Sequence, residues 1–391
     1  MRGRWSSANP ALDNGLSASK DGHAAATRSL AVTAKASIVA PLELTRVGHL
    51  KITGRSGQRA TLVTPDRRRV PITLPVDLPK AAHGVYRVWV DRSARRLPPY
   101  KLAIQLEPGR LAQLEVPDVN DSSLPAIHVA GIPYPLPASL SVRRHDMPKA
   151  MSFYAAQARL SDRGRVFASR RLPNGQAVET LPQASMVTRM IVLHADVMPD
   201  TKSMFKLLVS RELSTHFAID WDGTIHQLLD PIDTAFAAAE VNPYSIHIDL
   251  NNLLPNLVDK PRARATPGGH PRRREMARAP YLRPRSPRLS INRRDVMSYG
   301  YNEPQYRALI ALTQLLTGLF ERIQPRVPLD ERGQVPLNYF DAAEDFEGVV
   351  AHWHLTPRRW DPGPGFNWQR LRDGLGGLRI HDRDATTPPR P

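Results

Sequence analysis

The chain has 391 residues, 41% of them hydrophobic, which suffices for the cores of about two or three domains. Its 54 Lys and Arg outnumber its 37 Asp and Glu, and the net charge of +17 favours an anionic partner such as nucleic acid, acidic lipid or a cell-wall polyanion. The absence of cysteine excludes disulfides and thiolate metal sites. No apolar run approaches the roughly 18 residues of a membrane span, and no nucleic-acid motif accompanies the charge, so we expect neither a transmembrane segment nor a nucleic-acid partner.

The N-terminal half divides into three segments by composition. Residues 1–35 are rich in Ser, Ala, Gly and Asn, which predicts a disordered lead, and they lack the apolar stretch of a signal peptide. Short alternating segments over residues 36–118 predict a small all-β sandwich domain, either a structural spacer or an envelope-binding module. Residues 119–185 are rich in Pro and Ser and are interpreted as a linker and the edge of the next domain.

From residue 190 onward the pattern changes to α/β. Buried or alternating strands are predicted at residues 190–194, 216–220, 225–229 and 245–250, with a helix capped by Asp200 or Thr201 after the first of them. The stretch 256–297 is rich in Arg and Pro and predicts a basic, solvated insertion that supplies no core; polyanion binding is an open role for it.

The C-terminal part contains the most informative stretch. Asn302 begins a capping-box-like start of a long amphipathic helix. An apolar run at residues 349–351 then leads to His352, and a Pro-rich turn brings in Asp361. A short helix is predicted to end near Leu375, and residues 377–391 are interpreted as a frayed tail.

Three residues at strand ends or in loops are candidate metal ligands: His194, His352 and Asp361. Two imidazoles and a carboxylate, with one position left for water, is the ligand count of a catalytic zinc. The spacing alone is weak, because any single histidine here can equally be an ordinary core or surface residue. His354 competes with His352, since a continuing strand would place both on one face; the apolar residues before His352 favour it.

The order of five blocks resembles a known family. The blocks are, in chain order, I-V-L-H, S-T-H-F-A-I-D-W-D-G-T-I-H-Q-L, N-P-Y-S-I-H-I-D-L, a long helix and V-V-A-H…P-R-R-W-D-P-G-P-G-F-N-W. Together they resemble the zinc-dependent N-acetylmuramoyl-L-alanine amidases, a family that includes phage and bacterial enzymes and peptidoglycan recognition proteins. The resemblance covers about residues 186–376. It implies a mixed central β-sheet flanked by helices, with His194, His352 and Asp361 as the zinc ligands.

The same resemblance assigns further roles and shows departures. Asp249 stands where the family often has a Glu that moves the proton, and Arg359 stands where it usually has an oxyanion-stabilising Lys. Ala237 replaces a His of the A-W-H-A-G block, and His247 replaces Gly in S-I-G-I-E. Because His247 and Asp249 share a strand face, we expect His247 to project into the cleft, where it either supplies the missing imidazole or blocks substrate. His216 matches a common structural histidine of the family.

The resemblance implies a zinc-dependent hydrolase that cleaves the amide between N-acetylmuramic acid and L-alanine in peptidoglycan or muropeptides. The alternative is a non-hydrolytic or weakly active peptidoglycan-binding protein on the same fold, and a basic envelope scaffold is a third hypothesis. The expected location is the cell envelope, periplasm or extracellular space, with the cytoplasm as the alternative. The oligomeric state and the preferred stem peptide have no signature in the sequence.

Overall fold

The computed structural model describes residues 36–38, 42–44, 48–53, 57, 59–66, 68–81, 84–91, 100–106, 110–116, 124–145, 151–160, 164–198, 200–252, 286–330 and 332–375. The predicted disordered lead at 1–35, the tail at 377–391 and residues 256–285, which are most of the basic insertion, lie outside the described residues. Of the described helices, none combines the length and the apolar character that crossing a bilayer requires.

The N-terminal segment contains antiparallel strands, as predicted. They are β1 (Ala36–Ile38), β2 (Leu42–Leu44), β3 (Gly48–Thr53), β4 (Arg59–Val63), β5 (Arg69–Thr73), β6 (Val76–Ala81), β7 (Gly84–Asp91), β8 (Tyr100–Leu106) and β9 (Arg110–Val116). One sheet has the order β1-β7-β4-β5, with β2 also paired to β7, and the other has the order β6-β3-β8-β9. In β4, Ala60 and Leu62 alternate into the core, as a half-buried strand requires.

The segment predicted as linker and domain edge carries regular structure. It forms β10 (Ala126–Val129), β11 (Ile132–Pro135), β12 (Val142–Arg144), α1 (Phe153–Gln157), β13 (Phe167–Ser169) and α2 (Leu181–Val187). Ile127, Val129 and Leu136 are buried in the same core cluster as the strands that follow. The short apolar patches between its prolines therefore pack onto the α/β core.

A mixed six-stranded sheet forms the centre of the α/β part, which confirms the predicted fold class. Its further strands are β14 (Met190–Ala195), β15 (Phe217–Ile219), β16 (Ile225–Gln227), β18 (Ser245–Leu250) and β21 (Gly348–Ala351). The order is β12-β16-β15-β18-β14-β21, and the described pairs are parallel except β15 with β16. Every residue of β18 is buried, because this strand lies inside the sheet between β14 and β15; its polar residues Ser245, His247 and Asp249 are buried along with Ile246, Ile248 and Leu250. Beside the sheet, β17 (Asp233–Ala235) pairs with β13, and β19 (Leu289–Ile291) with β20 (Arg294–Val296).

Helices flank this sheet. α3 (Thr201–Ser210) is capped by the side chain of Asp200, and α4 (Glu303–Leu319) begins with a capping box between Asn302 and Gln305, both at the predicted positions. α5 (Trp368–Leu375) closes the described chain, and short 3₁₀ helices lie at Ala239–Tyr244, Ala343–Asp345 and His352–His354.

Two local expectations are wrong. His352 and His354 do not share a strand face, because the pairing of β21 with β14 ends at Ala351 and the next three residues turn into a 3₁₀ helix. The predicted insertion also contributes to the core at its end: Ile291 is fully buried, since the β19–β20 hairpin turns it inward.

Candidate metal centre

The sheet topology brings the predicted ligands to one edge. β18 and β21 lie on either side of β14 and both run parallel to it, so the carboxyl ends of the three strands lie at the same edge of the sheet. His194 lies near the end of β14, Asp249 lies opposite it in register on β18, and His352 directly follows β21. Asp361 reaches this edge from the loop after His352.

The donor atoms of His194, His352 and Asp361 converge. The Nδ1 atoms of the two histidines lie 2.9 Å apart, and Asp361 Oδ2 lies 3.3 Å from His194 Nδ1 and 3.0 Å from His352 Nδ1. All three residues are buried. A tetrahedral zinc with bonds of about 2.0–2.1 Å holds its ligand atoms about 3.3 Å apart, so this spacing suits such an ion.

The protonation of the cluster also suits a cation. Burial lowers the pKa of His352 below its ordinary value, which keeps the imidazole neutral and its lone pair available. Burial opposes ionisation of Asp361, but the neighbouring His352 and His194 outweigh it and hold the pKa of the carboxyl below its usual range. Two imidazoles beside a carboxylate are a donor set able to bind a metal ion.

The loop that carries Asp361 is held by residues that the sequence did not reveal. The amide of Asn292 donates to the carbonyl oxygens of Trp353, Thr356 and Arg359 at 2.9, 3.2 and 3.1 Å. The hydroxyl of Tyr301 donates to Pro362 O at 2.8 Å. Asn292 belongs to the β19–β20 hairpin and Tyr301 to the segment before α4. Both are far from the loop in sequence, and no local sequence pattern predicts these contacts.

The loop also depends on a close approach by glycine. The backbone N–H of Gly365 donates to Ser298 Oγ at 2.8 Å, and a Cβ at Gly365 would collide with the backbone carbonyl of Tyr299. The Pro-Gly-Pro-Gly turn that follows Asp361 therefore packs backbone against backbone, which fixes its path beside the cluster.

The two predicted catalytic residues differ in their surroundings. Asp249 is buried at the sheet edge, and burial raises the pKa of its carboxyl although His194 opposes the shift. Arg359 is exposed, and its positive charge contributes to lowering the pKa of His352. Ala237, which replaces a histidine of the family, is partly buried, and its N–H donates to Asn242 Oδ1. The roles of Asp249 and Arg359 stay predictions.

The expectation that His247 projects into the cleft is wrong. Its side chain is fully buried, and its Nδ1 lies 3.0 Å from Nε2 of His194, on the side of that ring away from Asp361. On the other side of His247, His216 is also buried. Burial is the main cause that lowers the pKa of His216 to about 3, and the positive charge of Arg170 adds to it. Both imidazoles belong to the interior beneath the cluster.

The family model described as N-acetylmuramoyl-L-alanine amidase matches residues 184–364, which confirms the predicted resemblance over that part of the chain. Similar solved structures include a selenomethionine derivative of AmpD, with 17% identity over 55% of this chain and 96% of that one and a TM-score of 0.29. The amidase LysC from Clostridium intestinale URNW is 15% identical over 49% and 87%, with a TM-score of 0.29.

A third similar structure is the Ph2119 endolysin from Thermus scotoductus MAT2119 bacteriophage Ph2119, 14% identical over 60% of this chain and 99% of that one, with a TM-score of 0.31. At these identities and TM-scores, the three structural likenesses say nothing about activity. No curated protein matches the chain at a significant level.

Proposed function

We propose that residues 184–364 form a zinc-dependent peptidoglycan amidase that hydrolyses the bond between N-acetylmuramic acid and L-alanine of the stem peptide. The observation that carries this proposal is the buried cluster of His194, His352 and Asp361 at one sheet edge, inside the segment that matches the amidase family. When bound there, zinc would lower the pKa of a water molecule and polarise the scissile carbonyl.

Asp249 is the proposed proton carrier. Burial raises the pKa of Asp249 above that of an exposed Asp. The raised pKa lies closer to the pH at which a general base works best. Asp249 would take a proton from the attacking water and pass it to the departing amine of L-alanine. Asp is one methylene shorter than the Glu of the family, a difference in reach of about 1.5 Å, and misplacement of this size can cost about 100-fold in rate.

Arg359 is the proposed oxyanion partner. Its side chain is exposed two residues before Asp361, and its positive charge contributes to lowering the pKa of His352. A guanidinium keeps the positive charge of the family's Lys but is bulkier and forked. It would stabilise negative charge on the carbonyl oxygen as the tetrahedral intermediate forms.

The second candidate function is a peptidoglycan-binding protein with little or no hydrolysis. Ala237 favours it, because it leaves no imidazole at a position where the family often holds substrate. The convergence of His194, His352 and Asp361 favours the enzyme, because a pure binder has no need of a complete donor set for a metal ion.

One experiment separates the two. The purified chain is incubated with intact sacculi and with soluble muropeptides, with zinc, with a chelator, and with zinc restored after chelation; released stem peptides are identified by mass spectrometry. Stem peptides that begin with L-alanine and disappear with chelator support the enzyme. Tight sacculus binding without release supports the binding protein. If the chain neither binds sacculi nor releases stem peptides, both functions are overturned. Release from sacculi would agree with a location in the cell envelope, and release from fragments alone with the cytoplasm.

A further inference from the structure

Three buried histidines stand side by side across neighbouring strands beneath the candidate metal centre. The ring centroids of His194 and His247 lie 5.3 Å apart, and those of His247 and His216 lie 5.8 Å apart with the rings nearly parallel. The proposed reaction uses only His194. The other two imidazoles are fully buried, so their polar atoms need partners inside the protein.

The hydroxyl of Ser245 determines which atoms donate and which accept in this chain of hydrogen bonds. This hydroxyl donates to the carbonyl oxygen of Val241 at 2.7 Å, and a carbonyl oxygen can only accept. A hydroxyl has one hydrogen, so Ser245 Oγ must accept in its second bond, to Nε2 of His247 at 2.9 Å. His247 therefore carries its proton on Nε2 and a lone pair on Nδ1.

The lone pair on His247 Nδ1 in turn determines the tautomer of His194. Nδ1 of His247 lies 3.0 Å from Nε2 of His194, and because that Nδ1 accepts, the Nε2 of His194 carries the hydrogen. The lone pair of His194 is then on Nδ1, which faces His352 and Asp361. The reverse direction would leave Ser245 Oγ and Val241 O in contact with no hydrogen between them, in a buried place.

His216 supports this arrangement from the other side. The backbone N–H of His247 donates to Nδ1 of His216 at 3.0 Å, so His216 carries its proton on Nε2, which donates to Asp233 O at 3.1 Å. His247 is thus fixed through its backbone by His216, and through its ring by Ser245 and His194.

We propose that His247, oriented by Ser245, is a positioning residue that holds His194 in the tautomer with an unprotonated Nδ1 facing the metal site. This inference rests on the proposed role of His194 as a metal ligand. A metal-ligating imidazole whose second nitrogen donates to an ordered partner is fixed in tautomer and ring orientation and binds the ion more tightly. The histidine in place of the family's glycine thereby acts below the site and does not touch the substrate.

The test compares two substitutions of His247 by zinc affinity, measured in competition with a chromophoric chelator. His247→Phe keeps a ring in place but offers no acceptor to His194, so we expect affinity to fall about 10- to 100-fold. His247→Gln offers a carbonyl oxygen to His194 Nε2, so it should retain most of the affinity. Ser245→Ala, which removes only the orienting hydroxyl, should weaken binding less than His247→Phe.

Val192→Ala is the matched control. Val192 lies in register with His247 on β14 and is equally buried, so this change opens a cavity beside the cluster without touching the hydrogen bonds. It should lower the thermal midpoint and leave zinc affinity unchanged. Equal affinity of the wild type and His247→Phe, or equal losses in His247→Phe and His247→Gln, would overturn the proposal.

A second measurement needs no variant. Long-range ¹H–¹⁵N spectra of the histidine rings in the metal-free wild type should show His194 protonated on Nε2, and a proton on Nδ1 would contradict the inference. Neither readout requires hydrolysis. A chain that binds zinc with the expected tautomer but cleaves nothing would retain the role of His247 while the proposed enzymatic function fails.

Discussion

His352 and His354 are two residues apart and have opposite surroundings. His352 turns its Nδ1 toward Asp361 and His194. His354 uses both ring nitrogens inside the fold: Nδ1 accepts the backbone N–H of Ala351 at 3.0 Å, and Nε2 donates to Pro336 O at 2.9 Å. No lone pair of His354 is left for an ion. The geometry therefore selects His352 as the candidate metal ligand, a choice that the sequence alone left open.

Substitution of each histidine by alanine tests this difference. His352→Ala removes one of three donors, so the purified protein should contain almost no zinc, against about one ion per chain in the wild type. His354→Ala leaves the backbone N–H of Ala351 without its acceptor and should cost about 1–3 kcal/mol of stability, with zinc content retained. Elemental analysis and thermal unfolding measure the two effects. Equal zinc loss in both variants would contradict the assignment.

Asp249→Asn tests the proposed proton carrier. The amide has the size of the carboxyl but cannot accept a proton, so turnover on muropeptides should fall about 10²- to 10⁴-fold. Zinc content should stay at the wild-type level, because Asp249 is not among the three residues whose donor atoms converge. Steady-state rates and metal analysis of the same preparation provide both values. Unchanged turnover would remove Asp249 from the mechanism.

At the scale of elements, the β19–β20 hairpin holds the loop that follows β21. Asn292, at the tip of the hairpin, has a positive φ of 49°, a conformation that Asn tolerates better than most residues. Its Oδ1 accepts the N–H of Tyr339 at 2.7 Å, while its amide group donates to three carbonyls of the loop. One side chain thus ties the hairpin to the chain on both sides of His352.

Asn292→Asp keeps the shape, the backbone preference and the acceptor, but replaces the donating amide with an oxygen that repels the three carbonyls. We expect stability to fall by about 1–3 kcal/mol and zinc affinity to fall about 10-fold, because His352 and Asp361 lose their fixed spacing. Arg294→Ala is the control: Arg294 donates to Arg358 O from the exposed side of the same hairpin, so affinity should hardly change. Chelator competition and urea unfolding measure both, and a similar result for the two variants would exclude the proposed tie.

The contrast between these elements shows what the sequence could predict. The strands that carry His194 and Asp249 can be predicted from local patterns, an apolar run in the first and strict alternation in the second, and a local cap at Asn302 marks the start of α4. Asn292 and Ile291 lie next to an Arg- and Pro-rich stretch. Asn292 acts through hydrogen bonds to residues more than forty positions away in sequence, and Ile291 is part of the hydrophobic core. Likewise, alternation placed His247 on a face but gave no information on the ring of His194 that packs against it.

At the scale of the whole molecule, Arg87 joins the N-terminal strands to the α/β part. It lies on β7 with 2% of its surface exposed, and its guanidinium donates from Nε to Thr317 O at 2.8 Å and from Nη2 to Ile323 O at 3.2 Å. Thr317 belongs to the last turn of α4, where carbonyl groups lack partners within the helix and the helix dipole favours a positive charge. Beside it, Arg69 of β5 forms an ion pair with Glu321.

Arg87→Leu should therefore destabilise the α/β part although the substitution lies in the β strands. The leucine fills much of the volume but leaves carbonyl oxygens of α4 and the following turn unsatisfied, and we expect a loss of about 2–4 kcal/mol. Arg68→Leu is the control, because the Arg68 side chain is 82% exposed and solvent screens its ion pair with Asp66. Urea unfolding, followed by tryptophan fluorescence and by loss of bound zinc, measures the effect on both parts. If zinc is lost at the same urea concentration in Arg87→Leu as in the wild type, then Arg87 does not couple the strands to the metal-binding fold.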